Sequence, residues 1–178
     1  TVRNPKDTPT HQSGTVIEGL TFQQGQAQYG GGAYLVGASV DFASCRFIGN
    51  ASEEGPVYHI GGCTVSYDDC LFKDNGSSSR CGAVRVIESD ATLTNCFFEG
   101  NSASGAYGHG GAVLSTDSNL VVGTCTFTNN SASAQGGAMY ITGPIGTSTS
   151  QLNGCTFTGN TAGGRGGAVF CTDDVELI

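Results

Sequence analysis

Any chemistry in this sequence has to come from its carboxylates, thiols and imidazoles. Cleaving a polysaccharide needs two converging Asp or Glu side chains, or an Asp cluster holding Ca²⁺ beside a Lys or Arg. One group comes near that pattern: Asp41 and Asp68, with Arg46 and Lys73 nearby. On a solvated face the same four residues make only complementary surface charge. Asp173-Asp174 and Glu53-Glu54 read as turn or loop acids, and His11, His59 and His109 are too scattered to form a constellation. No nucleophile can be paired with a base, so the chain is expected not to be an enzyme, with no catalytic residues and no cofactor. Eight cysteines are the remaining reactive groups. Without Cys-x-x-Cys spacing or clustered His they do not make a zinc site, and no metal is expected.

What positions these residues is a repeat. The pattern Cys-x-Phe-x-x-Asn occurs at Cys45/Phe47/Asn50, Cys70/Phe72/Asn75, Cys96/Phe98/Asn101, Cys125/Phe127/Asn130 and Cys155/Phe157/Asn160, with a degenerate copy at Leu20/Phe22/Gly25. Successive copies are 25, 25, 26, 29 and 30 residues apart. A second motif, Gly-Gly-Ala and an apolar residue, alternates with the first at Gly31–Tyr34, Gly110–Val113, Gly136–Met139 and Gly166–Val169. Weaker copies are Gly55-Pro56-Val57 and Cys81-Gly82-Ala83-Val84.

Each repeat carries three short strand signals: one after Gly-Gly-Ala, one just before the cysteine, and one from Cys to Phe. Side chains two apart on a strand share a face. Cys and Phe therefore point inward together, as does the column Ile17, Phe42, Tyr67, Leu93, Val122, Leu152. The column after the motif's alanine is read as inward too: Tyr34, Val57, Val84, Val113, Met139, Val169. With no helical periodicity, this predicts an all-β chain: a right-handed parallel β-helix of about six coils, each with three short strands. Coils ~4.8 Å apart make a rod roughly 30 Å long. The Asn column is expected to form an amide ladder at a turn, each side chain bonding the next coil's.

The Phe-x-x-Asn and Gly-Gly-Ala repeats, over about residues 15–178, resemble those of chlamydial polymorphic outer membrane proteins and, more broadly, pectate-lyase-like β-helices. The first resemblance implies a surface passenger domain that takes part in adhesion.

Stacked cysteines 45, 70, 96, 125 and 155 fit a buried ladder of free thiols, or a column with at most two disulfides between coils. Cys63, Cys81 and Cys171 belong to other columns. Thr126/Thr128 and Thr156/Thr158 evoke an ice-binding array, but Arg46/Ile48, Leu71/Lys73 and Phe97/Glu99 interrupt the same columns. The column Leu35, Tyr58, Arg85, Leu114, Tyr140, Phe170 reads as outward. It is either an exposed contact stripe, suited to a protein neighbour or a stacked sugar, or a face covered by a loop or by residues 1–14. Among the sequons at Asn50, Asn75 and Asn129, the first two fall in the inward ladder, so Asn129 is the best glycan acceptor.

Composition removes other classes. A net charge of −8 with seven Lys and Arg disfavours nucleic acid and anionic membrane surfaces. No apolar run is long enough to span a membrane. Opening at Thr1 without methionine, the chain reads as processed or partial, so a missing leader carries no weight. Residues 1–14 form an extension or connector ahead of a repeat domain over 15–178. Uncapped strand edges at both ends would suit a slice of a longer solenoid, or copies stacked end to end. The function expected is a non-enzymatic extracellular or cell-surface module, structural or adhesive, whose partners are further protein copies or surface glycans. The alternative is a polysaccharide-binding or polysaccharide-degrading β-helix.

Overall fold

A computed structural model describes residues 14–143, 150–172 and, as backbone only, 175–177. The expected connector 1–14 (with His11) and Asp173-Asp174 lie almost wholly outside the described residues. Among those described, every regular element is a strand and every pairing is parallel. Among the described residues no helix is long and apolar enough to cross a membrane.

The chain winds as a parallel β-helix with four sheets rather than three strands per coil. Sheet A runs from Thr15–Glu18 through Val175–Leu177 in seven strands. Sheet B, six strands from Thr21–Gln23 to Thr156–Thr158, carries the phenylalanines. Sheet D, six strands from Ala33–Val36 to Val169–Cys171, follows the glycine corners. The element missed by sequence is sheet C, whose strands are two residues long, such as Ala51–Ser52 and Ser102–Ala103. Two-residue segments made mostly of Ala, Ser and Gly are too short to show alternation and carry little strand propensity. Their pairing exists only because the coils on either side are already in register.

Inward residues stack on their equivalents. Phe22, Phe47, Phe72, Phe98, Phe127 and Phe157 form a continuous pile with ring centroids 4.6–4.9 Å apart and near-parallel planes. Phe42 and Tyr67 stack in the neighbouring column and meet the pile edge-on. The amide ladder forms as expected. Asn50, Asn75, Asn101 and Asn130 are fully buried, and each accepts at Oδ1 from the previous coil's residue. Each Nδ2, including that of Asn160, donates to a Phe carbonyl one coil back. Buried amides are thus satisfied by copies of themselves, which is why the type recurs.

The cysteine column is a ladder of free thiols. Each Sγ has two backbone carbonyls within reach of its single S–H; for Cys96 they are Thr94 at 3.2 Å and Tyr67 at 3.5 Å. Neighbouring Cys125 and Cys70 and burial raise the Cys96 pKa, and burial pushes the separate Cys81 up to about 12. Only the thiolate reacts. Because burial shuts the reagent out, a maleimide is expected to label exposed Cys171 first and half-buried Cys155 more slowly in the native protein, and the buried Cys45, Cys70, Cys96 and Cys125 only on unfolding. Intact-mass kinetics check this; ladder labelling as fast as Cys171 would refute the packing.

Corners explain the glycines. Gly30, Gly110, Gly136 and Gly166 share positive φ between 59° and 67°. The next glycine lies where coils touch: a Cβ on Gly137 would sit 1.9 Å from the Gly167 carbonyl oxygen. This corner corrects one register. In Gly30-Gly31-Gly32-Ala33 the corner is Gly30, so Ala33 pairs with Val57 and Tyr34 with Tyr58. The inward residue of the first coil is therefore Ala33, not Tyr34. Three consecutive glycines had offered two registers, and the other corners select between them.

Candidate functional site

The one candidate carboxylate group does not assemble into a site. Asp41 is level with Ser66 and accepts its hydroxyl, while Asp68 is level with Ala43 and takes Asn95 Nδ2 at 3.2 Å. Lys73 pairs with Glu99 at 3.1 Å in an exposed bridge, and Arg46 is exposed. Among the described residues no cluster of His, Cys, Asp and Glu could hold a metal ion.

The outward column of sheet D is the richer feature. Its members are Tyr34, Tyr58, Arg85, Leu114, Tyr140 and Phe170. Leu35 does not belong: it is level with His59 and faces inward against the core, the consequence of the Gly30 corner. Nor is the stripe uniformly exposed. Tyr58, Arg85 and Leu114 are buried, whereas Tyr34 is 50% exposed and Tyr140 and Phe170 are half-buried.

The cover is a second outward column, one place before each corner residue: Tyr29, Glu54, Arg80, His109, Gln135 and Arg165. Tyr29, 43% exposed, stacks on Tyr34 at 6.0 Å and on Tyr58 at 5.8 Å. The Arg85 guanidinium lies 4.8 Å from the Tyr58 ring centre and is ion-paired with Glu54. Arg80 approaches the same Glu54 oxygen at 3.6 Å and lies 5.8 Å from the ring of exposed Tyr107. Farther along, His109 stacks on Tyr140 at 4.5 Å, and Tyr140 on Phe170 at 5.2 Å.

Two columns side by side thus make a ridge of rings and guanidiniums along the rod. Burial, opposed by Arg85, raises the Tyr58 pKa, and burial and then Arg80 lower that of His109, so both are neutral at pH 7. Sequence reasoning missed Tyr29, Glu54, Arg80, Tyr107 and His109 as members of this ridge. A signal was present, since five of the six positions just before the corner are charged, aromatic or His.

A family model for the right-handed β-helix region matches residues 10–176. The chain belongs to this right-handed β-helix family. No curated protein and no solved structure matches it significantly. Within this β-helix, the other residues singled out by sequence have structural places. The Cys, Phe and Asn columns fill the core, and Asn129 sits exposed at a corner with φ 55° while Asn50 and Asn75 are buried.

Proposed function

We propose that this β-helix is a non-enzymatic extracellular or cell-surface module that adheres to saccharides through its Tyr29–Tyr34 ridge. The observation carrying this reading is the pair of exposed tyrosines stacked over buried Tyr58, itself backed by Arg85. Rings held by a rigid scaffold lose little entropy on binding and offer faces to the C–H side of a sugar ring. The repeat's resemblance to adhesive surface passenger domains supports the same reading. Co-sedimentation of the protein with insoluble polysaccharides tests it. Tyr29→Ala with Tyr34→Ala is expected to weaken retention roughly tenfold, from two ring contacts of about 0.5–1.5 kcal/mol each. Retention unchanged by the double variant would overturn it.

A further inference from the structure

We propose that the corner formed by Arg80, Arg85 and His109 binds a carboxylate, so that the ridge takes an acidic saccharide. The proposal rests on the saccharide reading above and adds the ligand's charge. The first argument is electrostatic. Two guanidiniums converge on one carboxylate, that of Glu54, and leave a surplus positive charge. Arginine stays protonated at any physiological pH. The surplus is notable in a chain of net charge −8 with only seven Lys and Arg.

The second argument is the hydrogen-bond count. Five buried side-chain nitrogen or oxygen atoms lack a partner among the described residues. Two of them, His59 Nδ1 and Ser115 Oγ, belong to core residues; Arg80 Nε faces Glu54 at 3.6 Å, just beyond hydrogen-bond range, and Arg85 Nε and His109 Nδ1, at the same corner, have no partner. Buried polar atoms are normally satisfied, and a cluster that is not points to an absent partner. A carboxylate supplies what is missing: acceptor oxygens and one negative charge.

Access also fits. Arg85 is 8% exposed and pinned between Glu54 and Tyr58. The Arg80 side chain is 43% exposed, so its fork can meet a carboxylate from solvent in two-point fashion. Neutral His109 offers a hydrogen bond rather than charge. Two coils, ~10 Å, separate Tyr29 from Arg80, so platform and anion site would hold neighbouring sugars of one chain.

Calorimetric titration with a uronate oligosaccharide, and with the same oligosaccharide after reduction of its carboxyl groups to alcohols, tests this. The acidic form is expected to bind about tenfold tighter or more, with the advantage shrinking as salt is raised. Arg80→Gln, at a half-exposed position, is expected to bring the two forms to parity. Equal affinities in the unmodified protein would overturn the carboxylate site and leave the saccharide ridge standing. An acid preference that survives Arg80→Gln would overturn it too, by placing the anion elsewhere. Binding of neither form would remove both readings.

Discussion

Replacing Asn101 by alanine is expected to cost on the order of 4 kcal/mol, a large share of a domain's usual stability. The side chain makes four hydrogen bonds. Its Oδ1 accepts from Asn75 N–H and Asn75 Nδ2, and its Nδ2 donates to the Phe72 carbonyl and Asn130 Oδ1. Alanine removes all four and leaves the Asn75 N–H and one Asn75 Nδ2 hydrogen buried without acceptors. Orphaned buried groups, each costing about 1–3 kcal/mol, dominate the loss. The size should depend on position in the rod. Asn160 is only partly buried and caps the described ladder, so Asn160→Ala should cost less. Exposed Asn153→Ala should stay within about 0.5 kcal/mol. Urea denaturation of the three variants checks the order, and equal losses at Asn101 and Asn153 would refute a cooperative ladder.

Acid should unfold the protein through one core histidine. His59 is fully buried, its Nε2 is 2.6 Å from the Tyr67 hydroxyl, and burial lowers its pKa to about 3. Tyr67 is likewise held neutral, its pKa raised well above 10 by burial. In the unfolded chain His59 titrates near 6.5. Between pH 6.5 and 3 the unfolded state therefore binds a proton that the native state does not. Stability falls with decreasing pH across that window, by about 1.4 kcal/mol per unit. Above pH 6.5 this contribution is flat. Denaturation midpoints measured from pH 7.5 to 4 should show the slope, and the double variant His59→Leu with Tyr67→Phe should flatten it by removing both members of the pair. Parallel slopes in the two proteins would rule His59 out as the acid trigger.

Sequence alone determined the fold class, because a β-helix writes its geometry into its period. Recurrence every 25–30 residues placed Cys, Phe and Asn in stacked columns, and identical side chains stack well only when aligned. Phe and Cys two apart identified the inward face, and the ladders formed as read. Tertiary structure decided what depends on register between coils. It chose Gly30 as the first corner, which turned Leu35 inward and Tyr34 outward. It revealed the two-residue strands of sheet C, which have no local preference of their own. It separated Asp41 from Asp68, whose side chains fall at different levels of the same sheet. The ridge was the least legible part. Arg80 and Glu54 are 26 residues apart in sequence, and nothing local couples them. They meet because one full coil returns the chain to the same corner, so the ion pair is a product of winding rather than of any segment.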